Sequence, residues 1–125
     1  MIAQDATVRW NQAAAPGYYR MGLSCRAGFE AAKPGQFVMV RVGKTGTPLL
    51  RRPFSLLGLI RENAVVSGIE ILYQVVGKGT AWLSRCTPGE RLSVIGPLGN
   101  AFVVPDSCRQ LILVAGGVGG PPPRF

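Results

Sequence analysis

The sequence contains no histidine, and only 6 of its 125 residues are acidic. Without histidine, the chain has neither a histidine general acid or base nor a histidine metal ligand. The three cysteines, Cys25, Cys86 and Cys108, lie far apart and form no C-x-x-C pair. This spacing argues against a zinc or iron–sulfur site and against a disulfide framework. We predict that they are buried, reduced thiols of a cytoplasmic protein.

Long apolar runs are also lacking. No run approaches the ~18 residues that a membrane-spanning helix requires, and the first ten residues, "MIAQDATVRW", lack the apolar centre of a signal peptide. We therefore expect a cytoplasmic protein without a membrane partner.

Basic residues, by contrast, are in clear excess. The chain has 14 Lys and Arg, which gives a formal net charge of +8. Such a balance is typical of proteins that bind nucleic acid, an anionic membrane or a phosphate-bearing ligand, but a solvated basic surface produces it too. A small basic β-barrel that binds nucleic acid is one open alternative. It would need aromatic residues interleaved with Lys and Arg on one face.

Short strand-like segments recur between turn signals, which 17 Gly and 10 Pro supply. In chain order these segments are "ATVRWNQ", "YYRMGLSC", "KPGQFVMVRV", "PFSLLGLI", "SGIEILYQVV" and "ERLSVIGPLG". Their number and spacing predict an all-β fold, either a small antiparallel barrel or a sandwich. "GTAWLSRC", Gly79 to Cys86, breaks the pattern and predicts one short helix with Thr80 as its N-cap.

The last residues, "QLILVAGGVGGPPPRF", differ from the rest. An apolar strand, Leu111 to Ala115, runs into glycines, as a βα nucleotide-binding unit does at its start. The sequence ends ten residues after Ala115, whereas a βαβ unit needs roughly 30 residues. We predict a barrel domain over residues 1–107 and the truncated start of a nucleotide-binding α/β domain over residues 108–125. Gly117 and Gly119 are candidate contacts in its glycine loop.

The pentapeptide "RRPFS" is the first candidate site. Arg52 could form a forked pair with a phosphate, Phe54 offers a flat apolar face, and Ser55 offers a hydroxyl. Pro53 has no N–H and suits a strand start or edge. Together these groups suit a ligand that is both phosphorylated and aromatic. The plain alternative is an edge strand with an exposed arginine pair.

The second candidate is "LYQVVGKGTAW", in which a strand, a Gly-Lys-Gly loop and a helix start follow one another. Backbone N–H groups at a helix start attract anions, and Gly77 and Gly79 allow a close backbone approach. The spacing of a Walker A loop is absent. An ordinary glycine turn before a short helix would leave the same pattern.

The order of the motifs is more specific than any one of them. "PGQFVMV", "RRPFS", "LYQVVGKGT", "GERLSVIGPLGNAF" and "LILVAGGVGGPP" together resemble the ferredoxin–NADP reductase-like flavoproteins over nearly the whole chain. "LLRRPFS", "LYQVVGKGT" and "GPLGNAF" are most similar to the electron-transfer subunits of type B, NAD-dependent dihydroorotate dehydrogenases.

The resemblance implies a six-stranded antiparallel Greek-key barrel that binds FAD, followed by a nucleotide-binding domain. It assigns Arg52 to the FAD diphosphate, Phe54 to the flavin ring and Ser55 to the region of its N5 atom. The remaining positions that match FAD contacts of the family are Pro53, Leu72, Tyr73, Gln74, Gly77, Gly79 and Thr80. Arg51 is expected to point to solvent.

The function implied is that of a flavin-dependent oxidoreductase subunit. It would pass electrons between a catalytic dihydroorotate dehydrogenase partner and NAD(H) in pyrimidine biosynthesis. NAD(H) and a [2Fe–2S] cluster are implied for a full-length protein only. A sulfhydrogenase-type or other ferredoxin or flavin reductase subunit is the alternative within the superfamily. Two departures concern the flavin contacts: Phe54 lacks the hydroxyl of the commoner tyrosine, and Gln74 stands where arginine is frequent.

Overall fold

The computed structural model describes residues 2–43 and 51–114. Their strands and single helix are, in chain order, β1 (Ile2–Ala15), β2 (Tyr18–Ser24), β3 (Phe37–Arg41), β4 (Arg51–Glu62), β5 (Val65–Gln74), α1 (Lys78–Ser84) and β6 (Arg91–Leu98). The strands form a closed barrel in the order β1-β2-β5-β4-β3-β6, and every pairing is antiparallel. Strand β6 returns to lie beside β3 after the β3-β4-β5 meander, which is a Greek key. The predicted all-β barrel with one helix is therefore confirmed.

Apolar and polar side chains alternate along the strands, and the apolar ones fill one core inside the barrel. In β6, for example, Leu92 and Val94 are buried, whereas Arg91 is exposed and Ser93 is partly exposed. Successive side chains of a strand point to opposite faces, so such alternation sends one set inward. The largest fully buried side chains come from β1 to β6, the β2–β3 loop and α1: Val8, Met21, Leu23, Phe29, Val38, Val40, Leu56, Ile69, Ile71, Leu83 and Val94.

The helix differs in detail from its prediction. It spans Lys78–Ser84, and its N-cap is Gly77 rather than Thr80. Gly77 has the extended backbone of an N-cap, with φ −171° and ψ −170°. Thr80 lies three residues further on, where its hydroxyl reaches back to the N-cap N–H, as the third residue of a capping box does.

Three other expectations are wrong for the described residues. Arg51 does not simply point to solvent, because its guanidinium reaches across β3 and donates to the Ser93 hydroxyl at 2.7 Å and the Ser93 carbonyl at 3.1 Å. Cys108 is exposed because it lies in a turn outside the barrel, although Cys25 and Cys86 are buried as predicted.

The third concerns the predicted strand Leu111 to Ala115. Leu111–Val114 forms no strand, and its side chains are 54–88% exposed. A strand is held by hydrogen bonds to a neighbouring strand, and within residues 2–43 and 51–114 no segment pairs with this one. Ala115, Gly117 and Gly119 lie outside the described residues, and the proposed boundary at residue 107 stays a prediction.

Among the residues that the structure describes, no helix is long and apolar enough to cross a membrane. The same residues contain no group of three or more Cys, Asp or Glu side chains that could hold a metal ion.

Candidate functional site

A cleft opens in the barrel where β4 and β5 separate. The two strands are paired from Glu62 opposite Val65 to Leu56 opposite Ile71. Beyond that point, residues 51–55 of β4 pair with β3, whereas residues 72–74 of β5 pair with β2. The backbone edges that face each other across the gap are therefore not joined by a ladder, which leaves main-chain groups available to a ligand.

This cleft holds a cavity of about 350 Å³. Its lining residues come from β4, β5 and the segment that leads into α1: Arg52, Pro53, Phe54, Ser55, Leu72, Tyr73, Gln74, Val76 and Thr80. Eight of these nine were selected from the sequence as candidate ligand contacts. Val76 was missed, although its place directly before the "GKGT" turn could have indicated it.

Arg52 owes its place at the cavity to the register of β4. It lies opposite Val40 and two residues before Phe54, which lies opposite Val38. Val38, Val40 and Phe54 are all buried, so Arg52 belongs to the inward-facing row of the strand. Because it is at the end of that row, its side chain leaves the core at the mouth of the barrel, where it is exposed.

The first turn of α1 meets Arg52 at this mouth. A Cβ atom built on Gly79 would lie 3.7 Å from Arg52 Nε and 2.8 Å from Val42 Cγ2. Glycine is therefore needed at this position for α1 to lie this close to the barrel. Gly77, in contrast, faces open space, where an added Cβ would have no neighbour within 4 Å. The segments 52–55 and 77–80 thus converge on one cleft.

Aromatic rings form the inner wall of the cavity. The Phe54 and Tyr73 rings meet edge to face, with centroids 5.8 Å apart and an interplanar angle of 69°. Tyr73 also stacks on Tyr19, which lies directly opposite it on β2, at 5.8 Å and 18°. Phe54 and Tyr73 are 8% and 2% exposed, so only a small part of each side chain is open to the cavity.

The turn from β5 into α1 is fastened by one side chain. The Thr80 hydroxyl accepts hydrogen bonds from the N–H groups of Val76 at 2.8 Å and Gly77 at 3.1 Å. It also donates to the Gly77 carbonyl at 3.2 Å. Since the hydroxyl is engaged within the turn, Thr80 shapes the cavity rather than offering this group to a ligand.

A partly buried hydrogen bond joins the aromatic wall to β1. Tyr73 donates its hydroxyl proton to Asn11 Oδ1 at 2.8 Å. Burial holds the pKa of the Tyr73 hydroxyl well above its usual value, and the hydrogen bond to Asn11 opposes that shift only in part. Tyr73 therefore stays a donor. The sequence offered no signal for Asn11, which looks like an ordinary polar residue of a strand.

Similarity to known structures defines the class of this barrel. One similar structure is that of an NADH-dependent reduced ferredoxin–NADP oxidoreductase, at a TM-score of 0.64 and 25% identity. The match covers 76% of this chain and 33% of the oxidoreductase chain. Another is phthalate dioxygenase reductase, at a TM-score of 0.74 and 19% identity. The match covers 96% of this chain and 37% of the reductase chain. The fold is the flavin-binding barrel of ferredoxin reductase-like flavoproteins. No protein-family model matches the chain.

Within that class, the chain is homologous to one kind of subunit. It is 42% identical over 121 residues to the electron transfer subunit of dihydroorotate dehydrogenase B (NAD⁺) from Desulforamulus reducens. The alignment covers 97% of this chain and 45% of that protein. The resemblance inferred from the order of the motifs is thereby confirmed, and the chain spans about half the length of the relatives it matches.

Proposed function

We propose that the chain binds FAD in the cleft between β4 and β5 and serves as the flavin module of an electron-transfer protein. One observation carries the proposal: Arg52 and the start of α1 at Gly79 meet at the mouth of a cavity whose wall is aromatic. A dinucleotide flavin carries a diphosphate and a flat apolar ring, and the cleft offers a complement to each.

The residues present fit such a ligand. Arg52 would hold the diphosphate, since a guanidinium can donate two parallel hydrogen bonds to phosphate oxygens. Leu72, Pro53 and the aromatic rings of Phe54 and Tyr73 would shield the flavin ring from water. Ser55 and Gln74 would bond its polar edge. A bound flavin accepts the two electrons of a hydride and can release them singly, which the protein side chains alone cannot do.

For the whole protein we propose the role that the relatives' name states. Its electrons would pass between NAD(H) and a catalytic dihydroorotate dehydrogenase subunit bound as a partner, in pyrimidine biosynthesis. The similarity over 97% of the chain supports this role. A cytoplasmic location agrees with the three free thiols, because thiols stay reduced there. NAD(H) and [2Fe–2S] binding remain predictions for a longer protein.

Titration of the purified chain with FAD tests the proposal. We expect one FAD per chain, with a change in the flavin fluorescence and visible absorption spectrum. FMN lacks the diphosphate and adenosine and should bind more weakly than FAD, and ADP should compete with FAD. The proposed function would be excluded if the purified protein were colourless and left the FAD spectrum unchanged even with the protein in large excess.

A further inference from the structure

We propose that Asn11 is a positioning residue that holds both α1 and Tyr73 in place at the cavity. The inference rests on the proposed function, since it concerns the same cleft. Asn11 is not among the residues that line the cavity, and no role at the candidate site was predicted for it from the sequence. It acts through the two elements that do line the cavity.

The orientation of the Asn11 amide follows from its partners. Its Nδ2 group donates to the carbonyls of Leu83 at 2.9 Å and Cys86 at 3.0 Å. Carbonyl groups can only accept, so Nδ2 must face them. Oδ1 then faces Tyr73, whose hydroxyl must be the donor. One amide thus completes three hydrogen bonds with no alternative arrangement of donors and acceptors.

The Leu83 carbonyl lies in the last turn of α1, and the Cys86 carbonyl lies just beyond the C-cap residue Arg85. The last carbonyls of a helix lack the partners that an interior turn provides; Leu83 accepts the Cys86 N–H at 3.1 Å, and Asn11 Nδ2 adds a side-chain donor. α1 is 7 residues long. Its first turn lies next to Arg52, and its last turn is held by Asn11. A shift at the Asn11 end of so short a helix moves Gly79 and Thr80 at the cavity.

The same amide orients the aromatic wall. Tyr73 is tied at its hydroxyl to Asn11 and at its ring to Phe54 and Tyr19. Without the hydroxyl contact, the ring would keep its apolar neighbours but lose the link to β1 and α1. Asn11 therefore couples two walls of the cavity that come from separate parts of the chain.

Four variants separate this role from a merely structural one. Asn11→Ala removes all three hydrogen bonds, and Tyr73→Phe removes one while keeping the buried ring. The double variant tests whether the two act through one link, and Gln12→Ala changes an exposed neighbour on the same strand as a control. For each variant we measure the FAD affinity and the visible spectrum of the bound flavin. We also measure amide hydrogen exchange of residues 79–86 in the absence of FAD. All measurements are made at a temperature where the variant is folded.

We expect Asn11→Ala to weaken FAD binding by about 5- to 30-fold, the factor that 1–2 kcal/mol corresponds to, and Tyr73→Phe to weaken it less. The double variant should be no weaker than Asn11→Ala, because contacts within one network are not additive. At saturation, Asn11→Ala should shift the flavin spectrum, and without FAD it should speed exchange in α1. Gln12→Ala should do neither.

Additive losses in the double variant, or wild-type affinity and spectrum in Asn11→Ala, would overturn the positioning role. If Asn11→Ala does not fold, Tyr73→Phe decides alone: unchanged affinity and an unchanged flavin spectrum would overturn the role. If the wild-type protein binds no FAD, the proposed function fails. Amide hydrogen exchange in the FAD-free protein then decides whether Asn11 holds α1. An unchanged exchange rate of residues 79–86 in Asn11→Ala would show that it does not.

Discussion

At the scale of single residues, the register of β4 explains how a charged residue, Arg52, can stand in the inward-facing row of a strand. The side chain occupies the inward-facing row of β4 but stands at its open end, opposite Val40. Burial of an isolated guanidinium would be costly, and the register avoids it by placing the group at the mouth of the barrel. The neighbouring Arg51 faces the other side of the sheet and is held by Ser93.

Replacing Arg52 by alanine should weaken FAD binding by about 1–3 kcal/mol, the range for a hydrogen bond to a charged group and the penalty for its loss. Arg61→Ala is the matched control. Arg61 is exposed at the opposite end of the same strand, and its replacement removes the same charge as Arg52→Ala does. Calorimetric titration of both variants measures the difference. Equal affinities of Arg52→Ala and Arg61→Ala would remove Arg52 from the site.

Thr80→Val should destabilise the protein by about 1–3 kcal/mol, because the N–H groups of Val76 and Gly77 lose their acceptor. Thr80→Ser keeps the hydroxyl and should lose less. Urea unfolding of both variants gives the free energies of unfolding. A valine variant as stable as the serine variant would show that the hydroxyl does not hold the turn.

At the scale of elements, the β4–β5 hairpin shows a local conflict between sequence and turn geometry. Its two loop residues, Asn63 and Ala64, have φ angles of 51° and 66°. Positive values at both positions are those of a type I′ turn, for which Asn-Gly is the preferred pair. Asn63 suits its position, but Ala64 carries a Cβ into the left-handed region.

Ala64→Gly should therefore raise the free energy of unfolding by about 0.5–1 kcal/mol. Relief of the left-handed strain is offset in part by the greater freedom of glycine in the unfolded chain. Ala3→Gly, at an exposed position within β1, is the control and should destabilise. Thermal unfolding compares the two. A loss of stability in both variants would contradict the turn assignment.

At the scale of the whole molecule, barrel closure divides the cysteines into two environments. Cys25 and Cys86 are 9% and 6% exposed, and Cys108 lies on the surface. Burial raises the pKa of the Cys25 thiol to about 11, and burial is also the main reason that the pKa of Cys86 rises to about 11. At pH 8 both buried thiols are neutral and unreactive.

Brief treatment with iodoacetamide at pH 8 should therefore modify the native protein once, at Cys108. The unfolded protein should be modified at all three cysteines. Mass spectrometry of the digested protein counts and locates the modified residues. Comparable modification of Cys25 in the native state would mean that the barrel does not exclude the reagent there.

The raised pKa values also predict a loss of stability in alkali. Unfolded thiols ionise near pH 9.0, whereas the native ones ionise near 11. The unfolded state therefore releases protons first, and the free energy of unfolding should fall as the pH rises from about 9 to about 11. Cys25→Ala should make this fall shallower in urea unfolding at several pH values. An identical slope would exclude Cys25 as a source.

The amino-acid sequence by itself determined the barrel strands, the turns and eight of the nine residues around the cavity. The strands and turns follow from alternation and from Gly and Pro signals, which are local patterns. The contact roles of Leu72, Tyr73 and Gln74 follow from the resemblance of the ordered motifs to a known family. Prediction from the sequence failed where the conformation of a residue or segment depends on partners far away in the chain. Leu111–Val114, within the strand predicted at Leu111–Ala115, pairs with no other segment that the structure describes. Arg51 found a partner in Ser93, 42 residues away.

Only the tertiary structure decided how the walls of the cavity meet. Asn11 lies 62 residues from Tyr73 and 72 from Leu83 along the chain, and Arg52 lies close to Gly79 at the mouth of the barrel. No local pattern encodes such contacts, because they exist only after the barrel has closed and brought β1, β4 and α1 together. The residue types that suit a flavin can be read from the chain, but their convergence is a property of the closed sheet.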